Sequence, residues 1–255
     1  MTRALVTGAT AGLGAEFARQ LAGSGADVVL VARDEVRLDT TRIALEDRHP
    51  VKVEVVAADL STVDGCDRVA ERIASATAPI DILVNNAGIG MYRRFGVADV
   101  ERDERMLDLN IRAVLRLTHA AVRTMTARGS GQIINVSSVS GFVPRGGNVT
   151  YSASKAWVTM FTEGLAIELA GSGVQVTAVC PGFTHTEFHE RASADMSNLP
   201  DWMWLDAEDV VAQGLADARR GKPLSVPSAR YKALAGAARY TPRPVLRAFM
   251  RRQTL

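Results

Sequence analysis

The stretch Thr7-Gly8-Ala9-Thr10-Ala11-Gly12-Leu13-Gly14 decides the fold. It follows a short apolar run, Ala4-Leu5-Val6, and opens directly into an amphipathic segment, 13–22. The order is strand, glycine turn, helix. Glycines there let the backbone turn tightly and come close to a pyrophosphate, whose charge is met by free amides and by the positive end of the helix dipole. Between the first strand and first helix of an α/β chain, such a loop lies where dinucleotides bind.

Outward from that turn the alternation repeats. Strand-sized runs at 27–32, 51–57, 80–85, 131–137 and 174–179 are separated by helical periodicity at 35–48, 62–77, 101–127 and 150–170. Continuously apolar strands such as Val28-Val29-Leu30-Val31 suit a parallel sheet covered on both faces. The pattern predicts an α/β fold: a doubly wound, Rossmann-type parallel sheet flanked by helices, in a single domain. Regularity fails after Pro181, where 183–205 reads as a substrate lid. A helix then returns at 207–220, and 223–227 suits a short last strand. Residues 1–229 read as the dinucleotide-binding and catalytic domain, and 230–255 as its basic, amphipathic C-terminal extension.

With 255 residues, 47% hydrophobic and 23% charged, the chain is neither disordered nor fibrous. No apolar run approaches the roughly 18 residues of a membrane span, and the apolar start at Ala4 leaves no room for a signal peptide. A cytoplasmic protein is expected, with Cys66 and Cys180 as reduced thiols. The net charge of +2 conceals a division. Residues 1–217 carry all 28 acidic and 20 basic side chains, whereas 218–255 carry ten basic and none acidic, so an acidic body meets a +10 tail.

Further motifs fall in order along the chain. The loop spacing is Gly-x-x-x-Gly-x-Gly after a threonine. Asn85-Asn86-Ala87-Gly88 follows the fourth strand, Asn110 lies in the next long helix, and Ser138 ends the fifth strand. Tyr151-Ser152-Ala153-Ser154-Lys155 opens the following helix, and Pro181-Gly182 follows the sixth strand. Over residues 1 to 185 the chain resembles the short-chain dehydrogenase/reductase family, in its single-domain branch of 3-oxoacyl reductases and hydroxysteroid dehydrogenases. The resemblance implies cofactor contacts at Gly8, Thr10, Gly12, Leu13, Gly14, Arg33, Asp59, Leu60, Asn86, Ala87, Gly88, Tyr151, Lys155, Pro181, Gly182 and Thr184. Its catalytic set would be Asn110, Ser138, Tyr151 and Lys155, with Asn110 holding a water that links Lys155 to solvent.

Arg33 at the end of the second strand favours NADP(H) over NAD, because an arginine there accommodates a 2′-phosphate. Ala11 departs from the second basic residue that NADP users of the family often carry before the middle glycine. Asp59 and Leu60 match the family's adenine-contacting pair, and Asp59 with Ser61 also suits a helix N-cap.

Tyr151 and Lys155 are four apart and share a helix face. A free tyrosine, with a pKa of about 10, exchanges protons poorly near neutrality, and a nearby ammonium would lower that value. Lys155 is one of four lysines against 26 arginines, so a compact ammonium stands where arginine is the usual cation. Ser138, rather than its neighbour Ser137, would hold the substrate oxygen. The reaction expected is interconversion of a ketone and a secondary alcohol, Tyr151 exchanging the proton. His185 and His189 are spaced as a helical metal pair, but the His-Glu-x-x-His order is absent and no metal is expected.

Ile89, Met91, Tyr92, Phe95, Phe142, Val143, Phe188, Met196, Trp202 and Trp204 in the specificity segments argue for an apolar substrate: fatty acyl, steroid-like or aromatic. In the tail, Val245, Leu246, Phe249 and Met250 are interleaved with Arg243, Arg247, Arg251 and Arg252, with Pro244 at a helix start. Such a helix packs on the cleft or another subunit, makes weak contact with an anionic membrane surface, or remains a solvated terminus. Nucleic acid is not an expected partner, since the body is acidic; a homodimer or homotetramer is. The rival from another class is a dinucleotide-sensing regulatory or scaffold protein on the same fold, which would have no use for a Tyr/Lys pair.

Overall fold

The computed structural model describes residues 2–97, 99–188, 192 and 199–252. His189 and Met196, named above, lie outside the described residues. The elements are β1 (Arg3–Thr7), α1 (Gly12–Gly23), β2 (Asp27–Ala32), α2 (Glu35–Arg48), β3 (Val53–Ala57), α3 (Val63–Ala74), β4 (Ile82–Asn85), α4 (Val100–Leu107), α5 (Ala113–Arg128), β5 (Gly131–Val136), α6 (Val149–Glu168) and β6 (Val174–Val179). After them come α7 (Ala207–Arg219), β7 (Leu224–Ser225), α8 (Ala229–Tyr240) and α9 (Arg243–Arg252).

The strands pair in parallel in the order β3-β2-β1-β4-β5-β6-β7. Side-chain alternation divides the core between two faces. Ala4, Val6, Val28 and Leu30 pack with Phe17 and Leu21 of α1 and Val211 and Leu215 of α7. Leu5, Val29 and Val31 pack with Val69 and Ile73 of α3 and Leu117 and Met125 of α5. Both faces are therefore covered, as the unbroken apolar strands require. The chain runs β1 to β3 in one direction across the sheet and restarts with β4 on the other side of β1. Ligands bind such sheets at that reversal, beyond the strands' C-terminal ends.

The long helix expected over 101–127 is broken into α4 and α5 by a π turn, Asp108–Arg112, with Asn110 buried at its middle. Such turns widen a helix by one residue and re-aim a side chain. A second polar feature ties α5 and α6 to the sheet. Asn85 Nδ2 donates to Thr118 Oγ1 at 3.0 Å and to Asn135 Oδ1 at 2.9 Å, and Asn135 Nδ2 donates to Thr162 Oγ1 at 3.0 Å.

The helix expected at 62–77 is shorter, and its N-cap is Thr62, whose Oγ1 accepts from Gly65 N. Asp59 is not that cap: its Oδ1 accepts from Ser61 N and Oγ, closing the turn before the helix. Among the described residues, no helix is long and apolar enough to cross a membrane. Cys66 and Cys180 are buried free thiols, and burial pushes the Cys180 thiol up to about 11.

Candidate active site

One cleft of about 590 Å³ opens at the β1/β4 reversal. Its first end is built by the glycine loop. Gly8 has φ +65°, and a Cβ there would stand 2.9 Å from Asn86 Nδ2 and 3.0 Å from Ala87 Cα, so only glycine fits without displacing the neighbouring strand end. At Gly14 a Cβ would overlap the Gly8 carbonyl oxygen, since α1 begins pressed against the turn. The loop is also laced to the Asn86 segment. Thr7 Oγ1 accepts from Asn86 N and Ala87 N, each at 2.9 Å, and Asn86 Nδ2 donates to Thr7 O at 2.9 Å. Gly8 N and Ala9 N donate to Val31 O, fixing the turn to β2.

Arg33, Asp59 and Leu60 line the cleft where β2 and β3 end. Burial raises the Asp59 carboxyl, but Ser61's hydrogen bonds and then the charges of Arg33 and Arg105 outweigh it and hold it below the ordinary value. Arg37, in the first turn of α2, also lines the cleft and pairs with Glu187 at 3.0 Å, joining α2 to the segment after β6. Sequence reasoning missed both. The place of Arg37 at the start of the helix after β2, four residues beyond Arg33, could have disclosed it; nothing local could have disclosed Glu187, 150 residues away.

At the other end stand Ser138, Tyr151 and Lys155. Lys155 Nζ donates to Val136 O at 2.8 Å and lies 5.8 Å from the Tyr151 ring centroid. Burial lowers the Lys155 ammonium to about 8. The Tyr151 hydroxyl was expected to fall under the lysine's influence, yet its pKa is raised. Burial dominates, the neighbouring Tyr92 adds to it, and a hydrogen bond with Ser138 opposes it. Ser137 also lines the cleft, but its hydroxyl is engaged with α6: its Oγ donates to Lys155 O at 2.7 Å and shares a hydrogen bond with Thr159, holding β5 to α6. Ser138 Oγ accepts from Ser140 N at 3.1 Å and faces the cleft.

The same cleft thus gathers Gly8, Thr10, Gly12, Leu13, Arg33, Asp59, Leu60, Asn86, Ala87, Gly88, Ser138, Tyr151, Lys155, Pro181, Gly182 and Thr184. Gly14 and Asn110 are not on its wall. Gly14 supports the loop from behind. Asn110 holds the next segment by both sides of its amide: Oδ1 accepts from Ile89 N at 3.0 Å, and Nδ2 donates to Ile89 O at 2.9 Å and to Ser154 Oγ at 3.2 Å.

The expected apolar wall is only partly there. Ile89, Tyr92 and Phe188 line the cleft, with Phe188 tilted against Tyr151 at 5.7 Å. Phe95 and Trp202 are instead exposed. Phe142 and Trp204 point elsewhere: Phe142 packs with Tyr231 of α8, and Trp204 stacks on His185 at 4.6 Å. The tail accounts for this. Tyr231 lies against Gly182, its hydroxyl accepts from Phe183 N at 3.2 Å and donates to Met203 O at 2.8 Å, and the aromatics around it fill the space under α8.

The cradle suits a dinucleotide. Two left-handed glycines, Gly8 and Gly12, bring the backbone to the cleft surface without side chains, and α1 starts there with no acidic residue in its first turn to oppose an anion.

Comparison with known proteins agrees. Residues 2–197 match the short chain dehydrogenase family. An uncharacterized oxidoreductase of Staphylococcus saprophyticus is 40% identical over 210 residues, 81% of this chain and 86% of the relative. Among solved structures, a short-chain dehydrogenase from Sphingobium yanoikuyae in complex with NADPH superposes with a TM-score of 0.86 at 37% identity, covering 93% of each chain. A bulky-bulky ketone specific alcohol dehydrogenase from Comamonas testosteroni gives 0.81 at 33% identity, covering 93% of this chain and 92% of that one. The chain belongs to the short-chain dehydrogenase family and is a dehydrogenase/reductase that uses a nicotinamide dinucleotide.

Proposed function

We propose that this protein is an NADP(H)-dependent oxidoreductase that interconverts a ketone and a secondary alcohol on an apolar substrate, fatty acyl, steroid-like or aromatic. The observation that carries it is the single cleft that runs from Arg33 and the glycine loop to Ser138, Tyr151 and Lys155. The dinucleotide would be held by Gly8, Thr10, Gly12 and Leu13 at its pyrophosphate, by Asp59 and Leu60 at adenine, and by Asn86 to Gly88, Pro181, Gly182 and Thr184 along its length. Arg33, with Arg37 in the first turn of α2, supports the 2′-phosphate reading and supplies the cation that Ala11 does not.

When bound, the nicotinamide supplies or takes the hydride. Ser138 Oγ holds the substrate oxygen beside the Tyr151 hydroxyl, and Tyr151 gives it the proton in reduction. A phenol kept protonated by burial is ready for that direction at neutral pH. Lys155 steadies the phenolate left behind and donates to ribose hydroxyls. Asn110 is a positioning residue that sets Ile89, and through it the cleft wall, over the reacting centre. Ile89, Tyr92, Phe183 and Phe188 give that end an apolar surface, in keeping with a bulky apolar ketone over a sugar.

The test is oxidation of NADPH and of NADH against a panel of long-chain, bicyclic, aromatic and short polar ketones. NADPH with an apolar ketone should give the highest kcat/KM; better turnover of small sugars would refute the apolar assignment, and preference for NADH the role of Arg33.

A further inference from the structure

Beside the dinucleotide cleft, and sharing Arg33, Ile89, Gly90 and Ala192 with it, lies a second cavity of about 450 Å³. Four guanidiniums line it: Arg33 from the end of β2, Arg93 from the β4–α4 connection, and Arg102 and Arg105 one turn apart on α4. Among the described residues that line it, Glu101 is the one carboxylate, and Met91 and Met106 give the cavity an apolar part.

Among the described residues, none of these four arginines closes an ion pair, whereas others in the same acidic body do: Arg19 with Glu16 and Glu208, Arg72 with Glu54, Arg112 with Asp108. Like charges gathered around a concave surface repel one another and concentrate anions there. That field already reaches Asp59: burial raises its carboxyl, but Ser61 and then Arg33 and Arg105 bring it below its ordinary value. One carboxylate on a ligand would leave most of the charge unanswered. A phosphate ester carries close to two negative charges and three acceptor oxygens, which the planar forks of Arg102 and Arg105 can engage together. The cavity is of the size that small-molecule sites have, roughly 300–1,000 Å³.

We propose that this cavity binds a phosphorylated small molecule at a site separate from the dinucleotide cradle, its phosphate held by Arg93, Arg102 and Arg105 and its apolar part against Met91 and Met106. Arg33 stays with the main cleft and borders both.

The test uses inorganic tripolyphosphate as probe, titrated calorimetrically into the whole protein and into the double variant Arg102→Gln/Arg105→Gln, each with and without saturating NADP+. Both arginines are exposed, so the variant should keep its fold, which thermal melting checks. The expected result is saturable binding that persists under NADP+ and weakens about tenfold or more in the variant, which loses two charged donors. The variant's own Kd for NADP+ should stay within about twofold of the parent's, since neither arginine lines the dinucleotide cleft. Four results would overturn the proposal: no probe binding, equal binding by the variant, displacement by NADP+, or a parallel loss of NADP+ affinity that gives the arginines to the 2′-phosphate. Failure of the parent protein to bind NADP+ at all would count against the cofactor reading instead, and the probe titrations without dinucleotide would still decide this site.

Discussion

At Tyr151 burial raises the hydroxyl pKa, the neighbouring Tyr92 adds to it, and the Ser138 hydrogen bond opposes it without prevailing. The hydroxyl stays protonated, and Lys155, equally enclosed, is held at about 8 rather than 10.5. If Tyr151 is the proton donor, Tyr151→Phe should lower ketone turnover by about 10²-fold or more with the Kd for NADP+ unchanged; fluorescence titration beside steady-state rates would show it, and retained turnover would sink the assignment. Lys155 also bears on stability. Its folded pKa is below its unfolded one, so the folded state holds that proton more weakly, and stability is reduced below pH 8 and recovered as pH rises from about 8 to 10.5. A drop of that size corresponds to about 3 kcal/mol. Lys155→Met should therefore unfold at higher urea than the parent protein at pH 7, with the gap narrowing by pH 10, while losing activity. An equal gap at both pH values would show that the buried charge is not the cause.

At the scale of elements, the π turn at Asp108–Arg112 is the device that places Asn110. Without the extra residue, the side chain would not meet both backbone groups of Ile89, which starts the segment that walls the cleft and leads to Tyr92. Asn110→Leu leaves those groups and Ser154 without that partner, and each unsatisfied buried group costs about 1–3 kcal/mol. The variant should melt lower, exchange amide hydrogens faster over 89–97, and show a raised KM for the ketone. Unchanged exchange there would remove Asn110 from the positioning role. The asparagine itself was legible from its place after the glycine loop and Asn86 motif, but the turn was not. Helical periodicity over 101–127 reads the same with or without one inserted residue, and only the pull of Ile89 and Ser154 on one amide reveals it. The aromatic residues after Pro181 were misjudged for a related reason. Composition says that Phe142 and Trp204 are apolar, whereas the docking of Tyr231 from α8 decides that they pack away from the cleft.

For the whole molecule, the uneven charge reads differently once the tail is placed. Its first helix, α8, is part of the fold through Tyr231, buried against Gly182 and Phe183. Its second, α9, buries Leu246 and exposes Val245 and Phe249. Other exposed apolar side chains lie on α5 and α6: Leu115, Met160 and Ile167, the last 79% exposed. Exposed apolar groups on outer helix faces favour association between copies. We expect a dimer or tetramer by light scattering, and Met160→Glu/Ile167→Glu should shift it to a smaller species with its circular dichroism retained; an unchanged mass would place the interface elsewhere.

The doubly wound sheet, the glycine turn and most of the proposed site were readable from the chain alone. Each depends on local chemistry at a fixed spacing: alternation of apolar runs, glycines where a Cβ would strike Asn86 or Gly8, and a tyrosine and lysine one helical turn apart. What the chain could not disclose depends on distance in space rather than in sequence. The tertiary structure decided that Arg37 meets Glu187, that Asn110 grips Ile89, that burial outweighs the Ser138 hydrogen bond at the Tyr151 hydroxyl, and that four arginines from three segments line one cavity. Solvation and pairing are properties of the packed neighbourhood, and no single segment contains it.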